Sequence, residues 1–349
     1  MKQWIGAFFC VLATSPFAAT APADFETARS LFQQGELAAA QQAFEALAAA
    51  DPTAAEVNFY LGEIALRSND SAKAITYLER AAAAAPTVSR THHRLGDAYG
   101  RAAQKASLFS ALSLARKCVR AFERAVELDP GNIAARYSLF TFYRGAPSLI
   151  GGGLDKAAAE AAAISRLDPD RGRIALAALH VSRKKFADAR AVLAEIRPVK
   201  LAEVERDRIF LSDVEWTSAT VGWGQPARNH TWFDEDSHPG VVLIVHGRLY
   251  SKGLYAHSPS RYTFALDRKW KIFTAIVGLR EGVDRSGSAV FIVRGDGREL
   301  FRSTTLRVDE SQQVKIDVTD IRELELVTEP EEAHNHFSWA IWADPLIQR

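Results

Sequence analysis

Three arginines recur near the ends of successive amphipathic segments in the first half of the chain: Arg67, Arg101 and Arg144. A row of guanidinium groups binds carboxylates through charge-assisted hydrogen bonds. Flat rings occupy a second shared position in the same segments and would add apolar contact: Phe59, His93 and Tyr137. These six residues are predicted to line a groove for a protein or peptide partner. The alternative is that the arginines complement helix dipoles and the rings cover neighbouring turns.

Motifs that indicate catalysis are absent from the sequence. It contains no Gly-x-Ser-x-Gly elbow and no His-Glu-x-x-His pair. A glycine run at 151–153 precedes a predicted helix, but it lacks the strand and the Lys-Ser or Lys-Thr pair of a phosphate-binding loop. Cys118 falls on a predicted core helix. The sequence therefore predicts a protein that is not an enzyme.

The overall charge is close to neutral, with 43 Lys and Arg against 42 Asp and Glu among 349 residues. This balance gives no general attraction to nucleic acid or to anionic lipid, so neither is an expected partner. The apolar fraction of 48% suits globular domains and excludes a disordered or collagen-like chain.

The first 23 residues have the pattern of a cleaved signal peptide. Lys2 precedes an apolar stretch, and small alternating residues suitable for signal peptidase end at Ala23. The stretch is short for a membrane span, so no stable membrane insertion is expected. A retained anchor and a lipid-modified Cys10 are the alternatives. We expect export to the periplasm or the medium.

Composition divides the remaining chain into two parts. Residues 24–200 contain no Trp and carry 24 basic against 19 acidic residues, and their abundant Ala, Leu, Glu, Arg and Lys favour helices. Residues 201–349 hold six of the seven Trp and carry 18 basic against 23 acidic residues. Their many Val, Ile, Phe and Thr favour strands. Residues 201–209, after the helix-stopping Pro198, are predicted to be a linker.

Prolines close successive segments of the first part at spacings of 34, 44 and 39 residues, at Pro52, Pro86, Pro130 and Pro169. The shortest spacing is typical of a pair of helices in a repeat array. These segments resemble tetratricopeptide repeats. The resemblance implies an α-solenoid of about five helix pairs over residues 24–200. Turns are expected at Gly35 and at Asn69 and Asp70, added helix around 104–117, and an added loop around 145–153.

Alternating apolar residues indicate strands in the second part. Val241 to Val245 reads as a half-buried strand that is closed by a turn at Gly247. Five more strands are predicted at 262–266, 272–277, 289–293, 314–318 and 324–327. Several short strands at close spacing are typical of a β-sandwich.

Three phrases in this part carry a second resemblance. They lie at 211–224, at 252–260, where the sequence reads KGLYAHSPS, and at 287–297. Their order and spacing resemble the NPCBM module, a carbohydrate-binding module seen beside glycoside hydrolase family 98 domains and related to carbohydrate-binding module family 51. Over about 210–347, the resemblance implies a jelly-roll β-sandwich akin to galactose-binding domains. It also implies recognition of terminal sugars of glycans.

A sugar presents an apolar ring face and a rim of hydroxyl groups, so its site needs an aromatic plate beside polar side chains. Within the NPCBM-like part, the predicted carbohydrate-binding residues are Trp223, Trp232, His257, Arg280 and Trp339. For His257 the alternative is a hydrogen bond to a backbone carbonyl. For Trp216 and Trp223 the alternative is a place in the sandwich core.

No cofactor is expected to be required, although the resemblance implies a structural calcium ion in many members. The candidate oxygen ligands are Asp284, Asp296 and Asp344. The alternative is that these residues serve turns, where Asp is common. His334 and His336 lack a third metal ligand at a characteristic spacing, so a solvated loop is favoured there.

These patterns predict a two-domain α plus β protein that acts as a non-catalytic exported adaptor. It would bind glycan through the C-terminal module and a protein partner through the helical array. The alternative is a protein–protein interaction scaffold whose sandwich has no sugar affinity. The expected boundaries are 1–23 for the signal peptide, 24–200 for the array, 201–209 for the linker and 210–349 for the sandwich.

Overall fold

Ten α-helices form the first part of the chain in a computed structural model that describes residues 24–233, 241–281, 287–331 and 338–349. They pair in chain order and form an α-solenoid. Their bounds are α1 Phe25–Gln34, α2 Leu37–Ala50, α3 Ala55–Arg67, α4 Ser71–Ala84, α5 Ser89–Lys105, α6 Leu108–Leu128, α7 Ile133–Gly145, α8 Leu154–Leu167, α9 Pro169–Ser182 and α10 Phe186–Ala194. The predicted five helix pairs are confirmed.

Local signals set the helix ends. The side chains of Asp24, Asp70, Asn132 and Asp168 each accept a hydrogen bond from a backbone N–H in the first turn that follows. Gly35 ends α1 in the left-handed conformation, with a φ of 86°. The turns predicted at residues 35, 69 and 70 are therefore confirmed. The region 104–117 is mostly helix, and the region 145–153 is mostly loop with one 3₁₀ turn.

Glycines allow the paired helices to approach closely. A Cβ atom on Gly62 would collide with Leu78, and one on Gly96 would collide with the ring of Phe122. These contacts join α3 to α4 and α5 to α6. The close approach buries a continuous apolar core along the array, as in other repeat folds.

Fourteen strands follow in the described part of the chain. Their bounds are β1 Arg208–Phe210, β2 Ser218–Val221, β3 Ala227–Arg228, β4 Leu243–Val245, β5 Arg248–Tyr250, β6 Gly253–His257, β7 Ser260–Ala265, β8 Ile272–Leu279, β9 Ser288–Gly295, β10 Arg298–Arg302, β11 Leu306–Arg307, β12 Ser311–Asp317, β13 Glu323–Glu329 and β14 Trp339–Gln348. All six strands predicted from the alternation are present, with ends that differ by a few residues.

Two six-stranded antiparallel sheets pack face to face as a jelly-roll β-sandwich. One sheet has the order β12-β8-β14-β6-β3, with β1 beside β14, and the other has the order β10-β9-β13-β7-β2, with β11 beside β9. Trp342 on β14 meets Phe291 on β9 edge to face, with ring centroids 5.3 Å apart. This contact joins the two sheets in the centre of the core.

The segment predicted to be a linker is part of the sandwich. Leu201 and Val204 lie in the sandwich core, and β1 pairs with the last strand from Arg208 onward. The guanidinium of Arg349 also donates to the backbone carbonyls of Val204 and Glu205. Because these apolar side chains are buried, residues 201–209 follow the sandwich rather than connecting two independent bodies.

A hairpin of the sandwich packs against the helical array. Strands β4 and β5 are joined by His246 and Gly247, which both have positive φ, as a tight hairpin turn requires. Leu243 and Val245 face the sandwich, whereas Val242, Ile244 and Leu249 pack against the core of the array. The strand predicted to be half-buried is thus covered on both sides, because the helices cover its second face.

Within the described residues, no helix combines the length and the apolar composition needed to cross a membrane.

Candidate functional site

Aromatic rings gather around Trp223 at one end of the sandwich. Its ring centroid lies 4.7 Å from that of Trp232 and 5.3 Å from that of Trp339, both in edge-to-face geometry. His257 lies 6.5 Å from Trp223 and 4.5 Å from Trp339. Edge-to-face packing of this kind is favourable and holds each ring at a fixed angle.

Neighbouring strands position the inner half of this cluster. His257 on β6 and Trp339 on β14 are directly opposed in the sheet. Arg280 follows β8, and its backbone N–H donates to the carbonyl of Trp339 at 2.8 Å. Tyr255, two residues before His257 on the same face of β6, stacks parallel to Trp339 at 5.7 Å. The sheet therefore positions the rings of His257 and Trp339 and the guanidinium of Arg280 at neighbouring ends of β6, β14 and β8.

Loops position the outer half. Gly222 approaches the backbone carbonyl of Ser258 so closely that a Cβ would collide with it, and its N–H donates to the His257 carbonyl at 3.1 Å. Gly224 has a φ of 72°, and a Cβ there would lie 3.1 Å from the ring of Trp232. Only glycine fits both requirements at this second position. The two glycines allow Trp223 to reach the other rings.

The loop that carries Trp232 is tied down by polar contacts. The side chain of Asn229 donates to Asp213 at 2.8 Å and accepts from the N–H of Gly253 at 3.0 Å. Lys252 also donates to the Asp213 carboxylate, at 2.7 Å. These bonds join the loop to strand β6 and to the start of the sandwich.

The side chains of the candidate sugar site differ in how much of their surface is exposed to solvent. Trp223 is 47% exposed, whereas His257 is 7% and Arg280 is 6% exposed. An exposed indole that is edge-packed by other rings offers a flat apolar surface, and the buried imidazole of His257 lies beside it. Trp216 instead packs against the sandwich core, as its core alternative predicts, and Arg228 covers its ring at 3.7 Å.

Sequence reasoning missed Tyr255, although it lies in one of the three quoted phrases. Burial raises the pKa of its hydroxyl, and the nearby charge of Arg280 lowers it in part. The hydroxyl therefore stays protonated and lies 3.5 Å from a guanidinium nitrogen of Arg280. Its position two residues before His257 on a strand was the available signal.

The structure brings together all five residues predicted to bind carbohydrate. Trp223, Trp232, His257 and Trp339 contact one another through their rings, and Arg280 joins them through the Trp339 backbone and Tyr255. The five residues converge from five separate segments of the chain. Their role in binding stays a prediction.

Two of the three predicted calcium ligands, Asp296 and Asp344, lie in different parts of the sandwich. Asp296 lies in the turn after β9, where its carboxylate accepts from the N–H groups of Arg322 and Glu323. Asp344 lies on β14, in the other sheet. Asp284, His334 and His336 lie outside the described residues. Among the residues that are described, no three His, Cys, Asp or Glu side chains form a metal-binding group.

The charges that act on the Asp344 carboxylate are positive. Burial raises the pKa of its carboxyl, and the charges of Arg248, Arg171 and Lys252 lower it in part. Asp344 also lines a space between the two domains, beside His93, Arg94 and Arg248. Its role as a calcium ligand stays a prediction.

The predicted peptide groove is covered by the chain itself at its centre. Arg101 is 5% exposed and donates through Nε to the carbonyl of Gly247, at 3.0 Å, and through Nη1 to the carbonyl of Leu66. His93 and Tyr137 are covered beside Leu249 and Tyr250 of the same hairpin. The expected open groove is thus corrected at these three positions, because the β4–β5 hairpin occupies them.

The other three groove residues contact parts of the array. The guanidinium of Arg67 lies 4.0 Å above the ring of Phe32, and Phe59 is buried beneath Arg90. Arg144 donates to the Ser182 hydroxyl at 3.3 Å. The three arginines do not form one row, because Arg67 and Arg101 line a cavity beside the hairpin, whereas Arg144 bonds to Ser182 of α9.

Comparison with known proteins agrees with both parts of this fold. Residues 25–89 match the tetratricopeptide repeat model, and residues 207–348 match the NPCBM/NEW2 domain model. A Renibacterium salmoninarum protein, whose name refers to an endo-alpha-N-acetylgalactosaminidase, is 27% identical over 137 residues. The match covers 39% of this chain and 9% of that relative.

Two solved structures illustrate the similarity. A CBM51 module from Clostridium perfringens GH95, in complex with methyl-galactose, is 23% identical, with a TM-score of 0.36 over 40% of this chain and 99% of that one. TTC0263, a tetratricopeptide repeat protein from Thermus thermophilus, is 21% identical, with a TM-score of 0.40 over 49% of this chain and 86% of that one. The two family models thus place tetratricopeptide repeats at residues 25–89 and an NPCBM/NEW2 domain at residues 207–348 of this chain.

Proposed function

We propose that the C-terminal module binds a terminal sugar of a glycan at the cluster of Trp223, Trp232, His257, Arg280 and Trp339. The observation that carries the proposal is the half-exposed Trp223 indole, held edge-on by two other indoles beside a buried imidazole. The indole face would stack on the apolar face of the sugar ring, and polar side chains behind it would contact hydroxyl groups.

A glycan array with the full chain tests this proposal. Residues that contact the helices lie next to the sugar site, so the module should be tested with the helical array still attached. We expect a defined set of terminal sugars to bind, and Trp223→Ala to lower affinity at least tenfold. Phe109→Ala is the matched control, because Phe109 is an aromatic residue 85% exposed on the array. Uniform absence of signal, with and without calcium, would support the scaffold alternative.

The complete protein is proposed to be a non-catalytic exported adaptor. The signal-peptide pattern of the first 23 residues supports export, and an α-solenoid supports binding of a protein partner. Because the hairpin covers the centre of the groove, we place the partner on the uncovered array. Leu108 and Phe109, at the start of α6, are 72% and 85% exposed, and adjacent exposed apolar residues mark interaction surfaces.

Two measurements test the adaptor. N-terminal sequencing of the exported chain should begin at Asp24, whereas a chain that begins at Met1 and stays with the cells would contradict export. A photo-crosslinking residue at Phe109 should give one discrete protein adduct in the native extract. The same residue at exposed Lys315 on the sandwich serves as the control. Equal adducts at both positions would contradict a partner site on α6.

A further inference from the structure

A small cavity lies between the helical array and the sandwich, apart from the sugar site. Its volume is about 100 Å³, and both domains contribute to its wall. The array supplies Arg67 and Arg101, and the sandwich supplies His246, Arg248 and Gln313. A water needs roughly 10–15 Å³ in this measure, so the cavity has room for a group larger than one water.

The wall of this cavity is strongly positive. Three guanidinium groups line it, and no carboxylate is among its lining residues. In the described part of the chain, Arg67 and Arg248 have neither an ion pair within 4 Å nor a side-chain hydrogen bond; each lies over an aromatic ring, Phe32 at 4.0 Å and Tyr250 at 5.1 Å. Five N–H donors on each group are thus free for another acceptor.

The carboxylates nearby are engaged elsewhere. Glu63 pairs with Arg94 through both carboxylate oxygens, and Asp97 also accepts from Arg94. Glu281 accepts from the N–H of Gly247. Three like charges that converge on one space repel one another, and the repulsion grows as water is excluded. Glu63 also acts on Arg67 and Arg248, and Asp344 acts on Arg248, but neither carboxylate lines this cavity. A negative group inside the cavity would therefore reduce the repulsion among the three guanidinium groups.

An imidazole adds a further polar atom. The Nδ1 atom of His246 lies within hydrogen-bond distance of the Asp309 carbonyl. Its Nε2 atom is buried without a hydrogen-bond partner in the described structure. Buried polar atoms are nearly always hydrogen-bonded. His246 lines the same cavity. Because its Nδ1 must donate to the carbonyl, Nε2 of the neutral ring accepts, so a protonated oxygen of a bound oxyanion would satisfy this atom as well.

We propose that this cavity binds a small oxyanion that bridges the two domains. Phosphate, sulfate and carboxylate groups share the required chemistry, because each presents several oxygen atoms to the planar donor forks of arginine. Arg67 and Arg248 are the primary ligands, one from each domain. Arg101 contributes charge, since its Nε and one of its Nη atoms already bond to carbonyl groups.

Titration of the full chain tests this site. Inorganic phosphate, sulfate and acetate are each added at constant ionic strength, and heat of binding and melting temperature are recorded. We expect saturable binding of at least one anion together with a rise in melting temperature. Arg67→Gln and Arg248→Gln should each lower the affinity at least tenfold, and Arg248→Lys should lower it less because the charge remains.

Arg124→Gln is the matched control, because Arg124 is an exposed arginine of α6 in an ion pair with Glu127. It should leave the affinity unchanged. Selective binding of acetate would identify a carboxylate site, and selective binding of phosphate or sulfate would identify a site for a tetrahedral anion. Absence of saturable binding for all three anions would overturn the proposal. Equal affinity in the wild type, Arg67→Gln and Arg248→Gln would overturn it too.

Discussion

The guanidinium of Arg101 on α5 donates to the backbone carbonyl of Gly247, although 146 residues separate the two in the chain; their N to O distance is 3.0 Å. The N–H of Gly247 in turn donates to the carboxylate of Glu281. Glu281 follows Arg280, one of the five residues of the candidate sugar site. A short series of hydrogen bonds thus connects a helical repeat to the edge of the sugar site.

Arg101→Gln should destabilise the protein by about 2 kcal/mol, because hydrogen bonds from a charged donor contribute roughly 1.5–3 kcal/mol. The buried carbonyls of Leu66 and Gly247 would lose their donor. Chemical denaturation of the full chain measures the change. Lys105→Gln, on the same helix, removes an exposed contact to Asn69 and should cost less than about 0.5 kcal/mol. Equal costs would contradict a specific role for Arg101.

The repeating part of the fold could be predicted because its signals are local. Proline spacing and small residues indicate each helix pair, and turn residues such as Gly35 mark its centre. Alternation likewise predicted six strands. Strands β6 and β14 were not predicted because they are buried on both faces, so their residues do not alternate in polarity.

Contacts between the two domains could not be predicted from local patterns. The sequence around Val241 to Val245 shows a strand, but it cannot show that helices far away in the chain cover its second face. For the same reason Arg67 and Arg101 were predicted to meet a partner, whereas Arg248 of the same chain lies beside them. Two of the candidate sugar-site residues, Trp223 and His257, lie within the three phrases, whereas Trp232, Arg280 and Trp339 lie elsewhere in the NPCBM-like part and were predicted from their residue types.

Gly224→Ala should weaken sugar binding about tenfold, which corresponds to about 1.4 kcal/mol. A Cβ at this position would push on Trp232 and would also strain a backbone with positive φ. Gly297→Ala is the matched control: its φ is 77°, but no atom lies within 4 Å of the added Cβ. Both variants should lose roughly 1–2 kcal/mol of stability. Titration calorimetry with a sugar that binds in the glycan array should show different affinities for Gly224→Ala and Gly297→Ala. Equal affinities would contradict the role of Trp232.

Glu63→Gln should destabilise the protein by about 3 kcal/mol, because removal of one charge from a buried ion pair leaves the other uncompensated. Burial alone would raise the pKa of Glu63, but the charge and hydrogen bonds of Arg94 hold it below its ordinary value. Glu56→Gln breaks the exposed pair with Arg90 and should cost less than about 1 kcal/mol. Urea denaturation of both variants checks the difference, and similar midpoints would refute it.

Gly96→Ala should destabilise the array by about 1–3 kcal/mol, as overpacking does, because the added methyl group collides with Phe122. Gly145→Ala, at the end of α7, meets nothing within 4 Å and should be neutral or slightly stabilising. Thermal denaturation followed by circular dichroism compares them. A neutral Gly96→Ala would mean that α5 and α6 separate without cost.

His93 should make stability depend on pH. Burial lowers its pKa below the ordinary 6.5, and Arg94 and Arg248 lower it further, against the opposing charges of Asp97 and Glu63. The unfolded chain therefore binds a proton more tightly than the folded one, so stability present above pH 6.5 is lost as the pH falls through the folded pKa.

Denaturation midpoints at pH 7.5 and 5.5 measure this effect in His93→Gln and in His92→Gln. The wild type and His92→Gln should lose more stability over this interval than His93→Gln, because the ring of His92 bonds to the Pro86 carbonyl and is not among the residues that hold the buried His93 ring. Identical pH profiles for all three proteins would show that the folded state does not discriminate against the protonated His93 ring.

The packing of Leu201, Val204 and Ile209 into the sandwich core has a consequence for how the two proposed binding activities would cooperate. Flexible tethers allow a second binding event to search a volume that is set by their length. Here the connection leaves no such slack, and the hairpin fastens the helices to the sandwich a second time. A protein bound by the helices would therefore be held in one orientation and at one distance from the glycan bound by the sandwich.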